Sequence, residues 1–165
     1  MFDALGTLLD FHSVAAQSRD DLVDKADQGS NSWWKKQLQY SWFQSLMQEL
    51  VPLWQVTVVG LDFTQVESEP KDPALRQKLM NLYLKLKCYL GVPGALQTLK
   101  CAGKHTGILS SGSREMLDSV VKNSSLDGVL DASFSVNYVG VSIVDPRVYK
   151  VTTDSFNYKP PEICF

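Results

Sequence analysis

The chain has 165 residues, 44% of them hydrophobic, and a formal net charge of −2. That is enough material for one core with a small inserted subdomain, and the balance excludes disorder, a basic stripe for nucleic acid and a polybasic membrane patch. No apolar run approaches the roughly 18 residues of a membrane span and no signal region opens the chain, so the expected partner is a small molecule.

The first ten residues, Met1-Phe-Asp-Ala-Leu-Gly-Thr-Leu-Leu-Asp10, give an apolar lead, an acid, and a Gly6-Thr7 turn. This pattern presents a carboxylate at the carboxyl end of a strand, where ligands sit in open α/β sheets. Asp3 therefore has the position of a nucleophile, although an aspartate satisfying turn amides gives the same pattern. Only two apolar residues precede it, against about five for a buried strand, so the opening strand is expected to be cut.

Residues 10–28 carry Val14, Ala15, Leu22, Val23 and Ala26 among charges, which predicts a helix ending near Gly29. Ser30-Asn-Ser32 then offers N-caps for a second helix through Leu50, with Trp33, Leu38, Trp42, Phe43, Leu46, Met47 and Leu50 at helical spacing. That stripe reads as packing. Pro52 ends it, and Leu53 to Val66 forms a third apolar segment before the Glu67-Ser-Glu-Pro70 linker. Asp72-Pro73 caps a fourth helix, with Leu75, Leu79, Leu82, Leu86 and Leu90 spaced by three or four.

After Gly91 the pattern changes. A short helix to Lys100 precedes a strand over 104–110, which runs into the serine loop Ser110-Ser-Gly-Ser113. A helix over 114–123, a strand over 130–136, a helix from Asp145-Pro146 and a strand opening at Ile163 follow. Alternating strands and helices predict an α/β fold with a doubly wound parallel sheet, formed by residues 1–12 and 91–165 and truncated at both ends. The helical segment 13–90 would be a cap inserted over its carboxyl edge. Gly91-Val-Pro-Gly94 is helix punctuation, and His12 and His105 are not spaced with Asp or Cys as metal ligands. Cys88, Cys101 and Cys164 read as buried reduced thiols of a cytoplasmic protein.

Five segments carry a family resemblance: Asp3-Ala-Leu-Gly-Thr-Leu-Leu-Asp10, Lys36-Gln-Leu-Gln-Tyr-Ser-Trp42, Leu53-Trp-Gln-Val-Thr57, Ile108-Leu-Ser-Ser-Gly-Ser113 with Met116-Leu117, and Asp145-Pro-Arg-Val-Tyr149. In register along nearly the whole chain, they resemble the signatures of (S)-2-haloacid dehalogenases, the type II dehalogenases of the haloacid dehalogenase superfamily. The resemblance implies a Rossmann-like core with a helical cap. It also implies an aspartate that displaces halide from C2 of a short 2-haloalkanoate, after which water hydrolyses the ester. Superfamily phosphatases need a second carboxylate two residues after the nucleophile, and here that position is Leu5. Halide leaves without a proton, so an apolar residue suits dehalogenation, and no metal or other cofactor is implied.

Carried over by resemblance, Asp3 is the nucleophile, Thr7 and Ser110 bond it or the substrate carboxylate, and Tyr149 stands beside the catalytic pair. Leu5, Leu38 and Leu53 fall where the family walls the alkyl group, and Ser111 falls where it usually has Asn. Plain core leucines would give the same pattern. Two departures matter most. In Ser142-Ile-Val-Asp-Pro146, Ile143 occupies the position of the catalytic lysine, and Trp34 occupies that of the halide-accepting arginine. A neutral indole can donate one hydrogen bond but cannot act as a guanidinium. The family's serine-rich segment that holds the lysine would follow Phe165. The expectation is a dehalogenase by descent with little or no hydrolytic turnover, forming a homodimer through the cap. Two alternatives are a non-catalytic remnant binding a small carboxylate or a protein partner, and a partial gene product.

Overall fold

The computed structural model describes residues 1–22, 26–47, 49, 51–68, 72–140, 143 and 145–165. The expectations for Val23, Leu50, Glu69, Pro70, Ser142 and Val144 lie outside these residues.

Two backbone hydrogen bonds set the start of the chain against the sheet. The Phe2 N–H donates to the Gly107 carbonyl and the Phe2 carbonyl accepts from Leu109 N–H, each at 2.9 Å, so Phe2 lies parallel to Ile108 of β3 (Gly107–Ser110). On its other side β3 pairs in parallel with β4 (Ala132–Ser135), from Gly107 opposite Ala132 to Ser110 opposite Ser135. The crossover between them is α7 (Arg114–Asn123). Ser113 caps this helix by accepting from Met116 N–H at 3.3 Å, and Met116, Leu117 and Val120 are buried. The Phe2 bridge and these two strands make up the described parallel sheet.

The strands are shorter than their sequence patterns. Thr106 gives its N–H to the Asp131 carboxylate at 2.7 Å, so β3 begins at Gly107. Ser135 Oγ accepts from Asn137 N–H at 3.3 Å and turns the chain into a 3₁₀ segment, Val136–Tyr138, which ends β4. Residues 163–165 form no strand. Pro160 and Pro161 lack the N–H groups a ladder needs, and Glu162 N–H turns back to the Lys159 carbonyl at 2.9 Å. Ahead of them α8 (Pro146–Phe156) starts where its Asp145 cap predicts, with the carboxylate accepting from Arg147 N–H at 2.9 Å.

Gly6, at φ +75°, turns the chain after Asp3 so that β1 (Leu9–Asp10) pairs antiparallel with β2 (Lys87–Cys88). This short ribbon closes the helical segment at both of its ends. Between the two strands run α1 (Ser13–Gln17), α2 (Arg19–Leu22), α3 (Ala26–Leu46), α4 (Leu53–Ser68) and α5 (Pro73–Tyr83). After β2, α6 (Val92–Cys101) leads back to β3.

Three expectations for the helices are overturned. No helix ends at Gly29 and none is capped at Ser30 to Ser32, because α3 runs straight through them. Those residues serve tertiary contacts instead. The Ser30 hydroxyl is buried 2.8 Å from His12 Nδ1, and glycines thin the seam between α3 and α4. A Cβ on Gly60 would lie 3.3 Å from Trp33 Cδ1, and one on Gly29 would lie 3.8 Å from Thr64 Cγ2. Second, the stripe on α3 is packed only in its first half. Trp33 is 3% exposed, whereas Trp42 is 62% exposed and Phe43, Leu46 and Met47 are also open. Third, α5 stops at Tyr83, since Lys85 N–H bonds the Leu82 carbonyl and the chain then enters β2, leaving Leu90 in solvent. Its start is as predicted, with Asp72 accepting from Ala74 and Leu75.

One core joins helices and sheet. Phe11 packs its ring 5.1 Å from Trp33, 4.8 Å from Trp34 and 5.9 Å from Tyr83. The same buried cluster continues through Leu9 and Leu86 to Ile108 and Leu117. The thiols depart from expectation: all three are free, but Cys101 and Cys164 are exposed and Cys88 is half-buried. None of the described helices is long and apolar enough to cross a membrane.

The two seam glycines should respond in opposite ways. Gly29→Ala fits an ordinary contact and should stabilise the fold by about 0.5–1 kcal/mol through helix propensity. Gly60→Leu drives a side chain into Trp33 and should cost about 1–3 kcal/mol. Urea unfolding of both variants checks this, and a Gly60→Leu protein as stable as the parent would contradict the close seam.

Candidate active site

Because Phe2 is fixed on β3, the next residue is delivered to the carboxyl edge of the sheet beside Ser110. Asp3 is partly buried there, and its Oδ1 accepts from Ala4 N–H at 2.8 Å. It thus meets a turn amide and faces a cavity at once. Ser110, 2% exposed, accepts from Gly112 N–H at 3.4 Å and lines the same cavity as Asp3. Burial pushes the Asp3 carboxyl above the usual carboxylate range, while the Ala4 and Ser110 hydrogen bonds pull it back down. Neighbouring Ser135 donates to the Gly112 carbonyl at 2.6 Å and holds the serine loop in place.

The cavity has a volume of about 240 Å³ and lies between this edge and α3. Asp3, Leu5, Ser110 and Ser111 line it from the sheet side, and Trp34 and Leu38 from α3. Leu53 and Val56 close it from α4, with Ile143 and Asn137 completing the wall. Ile143 is half-buried among Leu109, Val136 and Val148. Trp34 lays its indole over the turn after Asp3, so that a Cβ on Gly6 would come within 3.0 Å of Trp34 Cζ2. No lysine or arginine among the described residues lines the cavity. Lys35 is exposed, and Lys36 turns away to lie 4.0 Å over the Phe63 ring.

Of the residues singled out from the sequence, Asp3, Ser110, Leu5, Trp34, Leu38, Leu53 and Ser111 share this cavity. Thr7 and Tyr149 do not line it. Thr7 is exposed beyond the Gly6 turn, and Tyr149 sits on the outer side of α8 with its ring 5.2 Å from Phe165. Other lining residues went unnoticed: Gln37, Ser41, Gln44, Ser45 and Glu49. Their signal was available, since Trp34, Gln37, Leu38, Ser41, Gln44 and Ser45 recur at three- and four-residue intervals along one face of α3. Among the described residues no group of His, Cys, Asp and Glu is arranged to hold a metal ion.

A family model for haloacid dehalogenase-like hydrolases matches residues 1–165. (S)-2-Haloacid dehalogenase 4A of Burkholderia cepacia is 37% identical over 166 residues, spanning the whole of this chain and 72% of the relative. (S)-2-Haloacid dehalogenase 1 of Pseudomonas sp. strain CBS-3 is 37% identical over 169 residues, covering this whole chain and 73% of its own. Among solved structures, a dehalogenase superposes with a TM-score of 0.93 at 38% identity, covering 99% of this chain and 73% of that one. The L-2-haloacid dehalogenase from Xanthobacter autotrophicus with chloropropionic acid covalently bound gives 0.86 at 30% identity, over 98% of this chain and 65% of that one. A carboxylate-bearing strand end, a helical segment folded over it and these matches along the full chain make the protein a member of the haloacid dehalogenase-like hydrolases, similar throughout to the (S)-2-haloacid dehalogenases.

Proposed function

We propose that this chain retains the alkylation half of haloacid dehalogenation, with hydrolytic turnover weak or lost. Asp3 Oδ would attack C2 of a short 2-haloalkanoate, the carbon–halogen bond would break, and halide would leave with the bonding electrons, giving an aspartyl ester. The observation that carries this reading is Asp3, beside Ser110, facing a cavity whose wall two residues on is Leu5 and not an acid. That wall gives no proton to an alkoxide leaving group and needs to give none to a halide. Leu5, Leu38 and Leu53 would bear on the alkyl group, Ser111 would donate to the substrate carboxylate, and Thr7 and Tyr149 would act only if they moved toward the cavity.

The same lining supports low turnover. Trp34 and Ile143 stand at the positions where the resemblance implies arginine and lysine, and both line the cavity. Losing one such charged contact costs about 10²–10³ in rate, and groups that act as a unit do not multiply their losses. A cytoplasmic setting, where three free thiols stay reduced, belongs to this proposal. So do the division into a core of residues 1–12 and 91–165 with a cap of 13–90, and a homodimer through the cap. The open apolar end of α3, with Trp42 and Leu46 exposed, supports the dimer. It also favours the second reading, a remnant that binds a protein partner.

Halide release and intact-protein mass after incubation with (S)-2-chloropropionate test the proposal. The expected result is a mass increase matching one 1-carboxyethyl group on the parent chain, none on Asp3→Asn, and little free halide beyond one equivalent. Sustained release by the parent, abolished in Asp3→Asn, would show full turnover without the lysine. An unchanged parent mass would remove the alkylation. Ile143→Lys should speed adduct formation about tenfold or more by placing a cation beside Asp3, read from the rate of mass increase.

Burial raises Asp3, so its ionisation works against the fold. Its stability contribution is full below the ordinary carboxylate value of about 4 and is lost as pH rises through the elevated folded value. Asp3→Asn should therefore raise the melting temperature at pH 7 and change it little near pH 3. Equal shifts at both pH values would mean that the Asp3 charge is not the cause.

A further inference from the structure

No lysine or arginine among the described residues lines the cavity over Asp3, so an anionic ligand there has to be met by neutral donors. On the sheet side two groups can serve, the Ser111 hydroxyl and the side-chain amide of Asn137. Asn137 stands just past β4, in the 3₁₀ segment that ends that strand. Its backbone is engaged on both sides: the N–H donates to Ser135 Oγ at 3.3 Å, and the carbonyl accepts from Val139 and Gly140 N–H. Its side-chain amide has no hydrogen-bond partner among the described residues and is half-buried on the cavity wall.

This placement is fixed. Ser135 Oγ accepts from Asn137 N–H and donates to the Gly112 carbonyl at 2.6 Å, so one buried hydroxyl ties Asn137 to the loop that carries Ser111. Across the sheet edge the order is Asp3, the serine loop and Asn137, since Phe2 lies beside β3 and β3 beside β4. Strands about 4.8 Å apart put the outer two backbones about 10 Å from each other. Two side chains reaching inward and a short acid between them fill that span.

We propose that Asn137 binds the carboxylate of the 2-haloalkanoate, donating its amide N–H groups beside the Ser111 hydroxyl, and thereby selects acids as substrates. The inference rests on the dehalogenase reading and gives it a residue at the end of the substrate remote from the halide. A carboxylate offers about four acceptor positions, and a hydroxyl with one proton leaves most of them unmet. The amide adds two N–H donors, and with no internal partner to lose it can turn its nitrogen to the ligand. Attack by Asp3 from the sheet side expels the halide on the far side of C2, toward α3. Asn137 lies on the sheet side and so acts on binding rather than on bond breaking.

Propionate, which has no leaving group, is the probe. Its titration into the full chain at pH 7, followed by ¹H–¹⁵N NMR, should shift the Asn137 side-chain NH₂ resonances saturably. Asn137→Leu should raise the half-saturating concentration about tenfold, the effect of losing a hydrogen bond to a charged group. Asn137→Asp, similar in shape, should weaken propionate about thirtyfold or more by like-charge repulsion, yet weaken neutral propionamide less than about threefold. That split separates recognition from structural damage, and it still decides if Asn137→Leu fails to fold. Adduct formation with (S)-2-chloropropionate should show the same rise of about tenfold in half-saturation for Asn137→Leu, with a limiting rate within about threefold of the parent. No saturation of the parent by about 50 mM propionate, or equal propionate affinity in the parent and Asn137→Asp, would overturn the assignment. Propionate binding that depends on Asn137 in a protein giving no mass adduct would keep the assignment and remove the alkylation, so the two readings fail separately.

Discussion

The parallel pairing of Phe2 with β3 is the contact on which the site depends. Its two hydrogen bonds, Phe2 N–H to Gly107 and Leu109 N–H to Phe2, bring residue 3 level with residue 110. Without them the serine loop and the carboxylate would belong to separate segments over a hundred residues apart. Gly6 then has to turn the chain at once, and its positive φ allows that beneath the Trp34 indole without a Cβ. The position of the Asp3 carboxylate is thus a consequence of strand pairing followed by a steric requirement.

A second constraint is the shared aromatic core. Phe11, Trp33, Trp34 and Tyr83 interlock at centroid distances of 4.8–5.9 Å and tie the entry of the helical segment to its exit. Trp34 works in two places, packed on Phe11 on one side and lining the cavity on the other. An indole there adds apolar contact where a guanidinium would have added charge, and Ile143 does the same against Leu109 and Val148. Both side chains add apolar packing, and among the described residues no lysine or arginine lines the cavity with Asp3. The elevated Asp3 carboxyl pKa follows from its desolvation by burial.

Much of the fold was legible in the chain. Asp72-Pro73 and Asp145-Pro146 announced helix starts, because short oxygen-bearing side chains satisfy the free N–H groups of a first turn wherever they occur. The Gly29 to Ser32 stretch misled for the opposite reason. Its small residues look like punctuation when read locally, but they are what lets α3 approach α4 and place a hydroxyl on His12. Exposure of Trp42 to Met47 was equally invisible, since helical spacing marks a face and does not say whether anything lies opposite it.

The sequence by itself determined the class of fold, the acid at the strand end, the family, and the neutral residues at positions 34 and 143. Those are matters of local pattern and residue identity. Only the tertiary structure decided that Thr7 and Tyr149 lie off the cavity, that a polar face of α3 lines it, and that the Gln37 amide is buried against the Tyr83 hydroxyl. The physical reason is distance along the chain. Gln37 Nε2 meets the Tyr83 hydroxyl and Trp33 Nε1 the Thr57 carbonyl through hydrogen bonds that exist only after α3, α4 and α5 have packed.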